Sequence, residues 1–130
     1  MSIRYPHHSL VDKLGIKEGL AITFINAPDG YEKQIGYLPH TIQNKKKLHG
    51  MCDLIQFFTT SQAELEEKLG FLKEHLYPSG MLWISWPKSS SKVKTDLNKN
   101  IIREIGLSHG LVDIKVIAID DTWSSLKFVL

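Results

Sequence analysis

One feature constrains this chain more than any other. Apolar, β-branched runs alternate with segments of helical periodicity. Leu20-Ala21-Ile22-Thr23-Phe24-Ile25-Asn26 is a continuous run bounded by Gly19 and by Ala27-Pro28-Asp29-Gly30, and it reads as a strand buried on both faces. Asp53 to Thr59 reads as a second strand, Met81 to Trp86 as a third, Val112 to Ile119 as a fourth and Trp123 to Leu130 as a fifth. Between the second and third, Ser61 and Glu64 have capping-box spacing, and Leu65, Leu69, Leu72 and Leu76 form one apolar stripe that Pro78-Ser79-Gly80 ends. Between the third and fourth, Asp96 reads as an N-cap, Leu97, Ile101 and Ile105 as a buried face with Ile102 alongside, and Gly110 as the residue closing the helix. One or two helical turns fit residues 31–36, and a short edge strand fits Thr41-Ile42.

Strands separated by helices predict a three-layer α/β fold with a mostly parallel sheet of about five strands. The short Asp120-Asp121 connection makes the last pair an antiparallel C-terminal hairpin. At 130 residues the chain reads as one domain, residues 1–130, with residues 1–10 as a flexible tail. A single cysteine excludes an intramolecular disulfide and any multi-cysteine zinc site. The six histidines are scattered without H-x-x-x-H or HExxH spacing, so no metal is expected. Cys52 precedes a buried strand and reads as an inert thiol. No apolar run approaches the roughly 20 residues of a membrane span. Met1 to His8 lacks the apolar core of a signal peptide, so a cytoplasmic protein is expected.

Ligands of open α/β sheets bind outside the carboxyl ends of the strands. That rule selects Asn26-Ala27-Pro28-Asp29-Gly30, Thr59-Thr60-Ser61 and residues 87–96. The first reads both as a tight strand-to-helix turn and as a site where Gly30 opens a helix towards an anion. It contains neither G-x-G-x-x-G nor G-x-x-x-x-G-K-[ST], and residues 38–47 offer no acidic side chain for a ribose, so no cofactor is expected. Lys88, Lys92 and Lys94 gather positive charge beside a helix start, which reads as an anion site or as a solvated loop. Lys45-Lys46-Lys47 reads as solvated. The net charge is only +2, and Trp83 and Trp86 lie in a strand where at least one of them packs in the core, so the sequence argues against nucleic acid as a partner. The candidate ligand-binding residues are therefore Asn26, Pro28, Gly30, Thr60, Ser61, Lys88, Thr95 and Asp96, with no catalytic residue among them.

Several segments carry a resemblance. They are Lys13 to Gly19, Asn26 to Tyr31, Asp53 with Phe57 to Ser61, Leu82 to Lys88, Gly110 to Val116, and Asp120 to Phe128. Their W-x-x-W-P-K and D-x-T-W-S-x-L-K-F patterns resemble the DUF3052 family of small bacterial proteins across nearly the whole chain. The architecture is also similar to the later half of a class I S-adenosylmethionine (SAM)-dependent methyltransferase, which implies a Rossmann-like fold. Asn26 to Gly30 replaces the glycine-rich loop of that family, and its acidic ribose-binding strand is reduced. The expectation is thus a non-catalytic binding module for a small anion or a protein partner. The alternatives are a minimal SAM-binding methyltransferase and a homodimer built on an exposed edge at Thr41-Ile42 or at the terminal strand.

Overall fold

The computed structural model describes residues 9–36, 38, 43–45 (backbone only) and 47–130. Most of the expected tail, residues 1–8, lies outside the described residues, and so does the Thr41-Ile42 edge strand. Ser9 already caps a first short helix, α1 (Leu10–Leu14), which Gly15 ends at φ 78°. There follow β1 (Ala21–Ile25), α2 (Tyr31–Ile35), β2 (Gln43–Lys45), β3 (Cys52–Phe58), α3 (Gln62–Glu74), β4 (Leu76–Pro87), α4 (Lys99–Ser108), β5 (Val112–Ala118) and β6 (Trp123–Val129). The five expected strands are present, and β2 adds a sixth.

The sheet order is β2-β1-β3-β4-β6-β5. β2, β1, β3 and β4 run parallel, and β6 is antiparallel to both β4 and β5. The terminal strand is therefore interior, which corrects the expectation that it offers a free edge. β5 is the edge on that side, because the short hairpin turn folds it outward past β6. No described helix is long and apolar enough to cross a membrane.

Alternation along the strands divides the core in two. Ile55, Phe57, Leu82, Ile84, Leu126 and Phe128 face α3 and α4, where they meet Leu65, Leu69, Leu72, Ile102 and Ile105. Ile22, Leu54, Phe58 and Trp83 face α1 and α2 and meet Val11, Leu14, Tyr31 and Ile35. Gly106 lets α4 lie directly on β6, since a Cβ there would stand 2.2 Å from the Phe128 ring. Trp83 and Trp86 are both buried, where core packing was expected of at least one. So is Cys52, whose Sγ lies 3.3 Å from the Thr23 hydroxyl.

Two boundaries differ from the sequence reading. α3 stops at Glu74, not at Pro78, and Leu76 leaves the leucine stripe to begin β4 opposite Cys52. A leucine satisfies a helix stripe and a buried strand equally, so spacing alone could not separate them. α4 begins after Asn98, whose side chain accepts from the Ile101 amide at 2.9 Å. Asp96, expected to be that cap, serves the other helix instead.

Candidate functional site

β1 leads onward to β2 on one side, while β3 lies against its other side. Strand order reverses there, and a crevice opens at the carboxyl ends of β1 and β3. Asn26 ends β1 with φ 58°, the one described non-glycine residue at positive φ. Asparagine tolerates this left-handed geometry, which a β-branched residue resists. The turn closes with the Tyr31 amide donating to the Pro28 carbonyl at 3.1 Å, and Gly30 at φ 80° precedes α2. A Cβ on Gly30 would meet nothing within 4 Å, so the floor of the shallow hollow formed by residues 27–33 is open. Asn26→Ile is expected to cost about 1–2 kcal/mol, and Asn26→Gly only a few tenths, by urea denaturation.

Asn26 also lines a cavity of about 410 Å³ with Ile25, Leu48, Phe57, Glu64 and Phe71. Glu64, Lys68 and Phe71 come from the flank of α3 beside its buried Leu65-Leu69-Leu72 stripe. The sequence reading gave Glu64 only a capping role and passed over Lys68 and Phe71. Their 64/68/71 spacing was the available signal, but it marks a helix face without saying what lies opposite. Phe71 is half exposed and stands edge-on to His75, with ring centroids 4.8 Å apart.

Thr60, Ser61, Thr95 and Asp96 do come together, but their polar groups are taken up within the fold. The Thr95 hydroxyl donates to the Thr60 carbonyl at 2.7 Å, and Asp96 Oδ1 accepts from the Gln62 amide at 2.8 Å. Ser61 Oγ accepts from the Glu64 amide at 3.1 Å. Glu64 does not complete a capping box. Its Oε1 takes the Thr59 hydroxyl at 2.6 Å, and Thr59 Oγ1 receives the Ser61 amide at 3.2 Å. The start of α3 is thus closed by the protein's own oxygens, and Thr95 and Asp96 latch the β4–α4 loop onto it.

Lys88 is placed elsewhere on the rim. It lines a hollow of about 380 Å³ with Trp86, Leu97, Asn98, Lys99 and Ser124. Its charge acts on Asp120, which begins the hairpin turn. Partial burial would raise the Asp120 carboxyl. Hydrogen bonds from the Trp123 amide, the Gln34 side chain and the Thr122 amide, with the charge of Lys88, outweigh it and hold the carboxyl below its ordinary value. Asp120 therefore organises the turn.

On the opposite, α1/α2 face of the sheet runs a buried polar chain. The Tyr31 hydroxyl donates to Gln56 Oε1 at 2.7 Å, Gln56 Nε2 donates to Ser85 Oγ at 3.1 Å, and Ser85 meets Ser125 at 2.8 Å. Burial, opposed by the Gln56 hydrogen bond and assisted by Asp120, raises the Tyr31 phenol well above its usual value. Phe24, Phe58 and Trp123 surround it: Phe24 and Phe58 stand edge-on to Tyr31, and Trp123 edge-on to Phe58.

No family model and no curated protein sequence matches the chain, so the resemblance to DUF3052 gains no second support. Solved structures do match. A SAM-dependent methyltransferase from Aquifex aeolicus superposes with a TM-score of 0.70 at 13% identity, covering 93% of this chain and 88% of its own. A precorrin-6y C5,15-methyltransferase from Geobacter metallireducens gives 0.63 at 10% identity, covering 91% and 83%. Magnesium protoporphyrin IX methyltransferase from Synechocystis, solved with bound S-adenosylhomocysteine (SAH), gives 0.59 at 11% identity, covering 92% and 78%. These likenesses correct the expectation that the chain takes no cofactor. That expectation rested on a missing glycine-rich run, yet the fold is shared with SAM-dependent enzymes, and Asn26 in the left-handed region makes the turn for which a glycine was expected. The mixed sheet of this chain, parallel at first and antiparallel in its C-terminal strands, has the same Rossmann-like fold as the SAM-dependent methyltransferase structures it superposes on.

Proposed function

We propose that the crevice at Asn26 holds a SAM-type nucleoside and that the chain is a minimal methyltransferase. The observation that carries this reading is the meeting of three features on one rim: the strand reversal, the left-handed turn at Asn26 and the 410 Å³ cavity. That volume lies within the range of small-molecule sites. Ile25, Leu48 and Phe57 offer apolar walls to a purine, and the Asn26 amide offers polar contacts beside them. Glu64 supplies what residues 38–47 lack. Its Oε1 is held by Thr59, and its second oxygen has no hydrogen bond among the described residues, leaving an acceptor for sugar hydroxyls.

When bound, SAM supplies an activated methyl group on a sulfonium. The chain's own part would be orientation. The rim carboxylates Asp96 and Asp120 are both engaged by backbone amides of the fold, and neither lines the cavity. Transfer would then suit an acceptor that brings its own lone pair, such as an amine or a thiolate, and would rest on proximity. The same engaged carboxylates favour a second reading, in which the crevice binds the nucleoside without transferring a methyl group.

Thermal unfolding with SAM and with SAH tests the reading. A ligand at one hundred times its Kd adds about 2.7 kcal/mol, which for a domain of this size raises Tm by roughly 10 °C. Glu64→Gln is expected to shrink that rise. No shift with either compound at millimolar concentration would overturn the proposal. A shift without loss of the methyl group to any amine or thiol acceptor would leave the binding reading.

A further inference from the structure

β5 and β6 place two lysines directly opposite each other. Lys115 pairs with Lys127, and Lys127 pairs with Trp83 of β4. All three lie in one row on the face that α1 and α2 cover farther along the sheet. Like charges directly opposite across strands are destabilising. The obvious remedy on β5 is Asp113, two residues from Lys115, where regular alternation would put both on one face. The ladder is irregular between them, so Asp113 stands opposite Phe128 and Lys115 opposite Lys127. Asp113 is thereby turned to the α4 side, where it binds Arg103 at 3.2 Å. Bulges are known devices for re-aiming a side chain.

A third cation joins from another element. Trp83 Nε1 donates to the Leu14 carbonyl at 3.0 Å and ties the end of α1 to this row, with Lys17 following three residues later. Partial burial lowers the affinity of Lys127 for its proton, and the charges of Lys115 and Lys17 lower it further. Lys17 and Lys115 are exposed and Lys127 is half-buried. Among the described residues no carboxylate forms an ion pair with any of the three.

We propose that this open face of the C-terminal hairpin is a phosphate-binding surface, on which Lys17, Lys115 and Lys127 hold the clustered phosphates of a compact oligophosphate; the low net charge of +2 argues against a polynucleotide backbone. Three cations from three elements are set against one another, and the nearest acid on β5 is turned away. Multiple negative charge on the ligand is what that arrangement lacks. The surface does not depend on the nucleoside crevice, and its test does not involve SAM.

Fluorescence anisotropy with a labelled 20-nucleotide oligouridylate, and its competition by tripolyphosphate, tests the proposal. Three neutralised phosphates give a salt slope near −2, so affinity is expected to fall about twenty-fold between 50 and 200 mM salt. In Lys115→Thr/Lys127→Thr the slope should drop to roughly −0.7. The Tm of that variant should equal or exceed the wild type, because a repulsive pair has been removed. Lys17→Gln, in a separate loop, should remove about one third of the slope and does not depend on the strands folding. Tripolyphosphate displacing the oligonucleotide at equal phosphate concentration identifies a compact oligophosphate as the ligand. Displacement only at large excess overturns that assignment in favour of a polymer backbone. Absence of binding by both probes at 50 mM salt, or an unchanged salt slope in the variants, overturns the proposal.

Discussion

Trp83→Ala is expected to lower stability by about 3–5 kcal/mol, enough to unfold a marginal domain at physiological temperature. Trp83 is fully buried at the centre of the α1/α2 side of the sheet, and its indole N–H is the hydrogen bond that fastens the α1 terminus at Leu14. The alanine removes the packing and orphans the Leu14 carbonyl together. Trp83→Phe separates the two effects. It keeps most of the volume and should cost only about 1–2 kcal/mol, chiefly for the lost hydrogen bond. Chemical denaturation of both variants gives the two values. A loss under 1 kcal/mol for the alanine would mean that α1 and Trp83 do not share the packing described above.

The second large effect is expected at Gln56. Gln56→Leu removes the acceptor of the Tyr31 hydroxyl and the donor to Ser85 inside the core, where an unsatisfied polar group costs about 1–3 kcal/mol. Two groups are affected, although Ser85 retains Ser125, so a total near 2–4 kcal/mol is expected. Adding Tyr31→Phe removes the orphaned hydroxyl and should restore about 1–2 kcal/mol. Strict additivity in that double-mutant cycle would show that the two side chains are not coupled. Tyr31 is the first residue of α2, directly after the turn that begins at Asn26, so the same variants report how firmly that turn is held.

The start of α3 could be read from Ser61, whose hydroxyl caps the Glu64 amide three residues on, although the Glu64 half of the expected box goes to Thr59 instead. The strands could be read from their apolar runs, and the antiparallel hairpin from the shortness of the Asp120-Asp121 turn. The end of α3 could not, because Leu76 suits either element. The candidate site was legible in part. Asn26 follows from the rule that places ligands at strand ends, but Phe57 and Glu64 join it only through the packing of α3 against β3. Thr60, Thr95 and Asp96 were found by the same rule, but Thr95 bonds Thr60 and Asp96 bonds the Gln62 amide, contacts that span 35 and 34 residues and leave no local trace. The lysine row was invisible for the same reason. Lys17 stands about a hundred residues from its partners, and the irregular step in β5 cannot be recognised from alternation alone.

The Asp96 contact bears on the order in which the chain can fold. A helix usually finds its terminal hydrogen bonds within a few residues, so it can form early and alone. Here one amide at the start of α3 waits for a carboxylate that arrives only after β4 and the following loop are in place. Closing that loop carries an entropic cost that a local cap would not. The first turn of α3 therefore gains its full protection late, together with the far side of the sheet. Fraying at Gln62 and release of the loop become one event, so α3 and the β4–α4 crossover share a single cooperative unit.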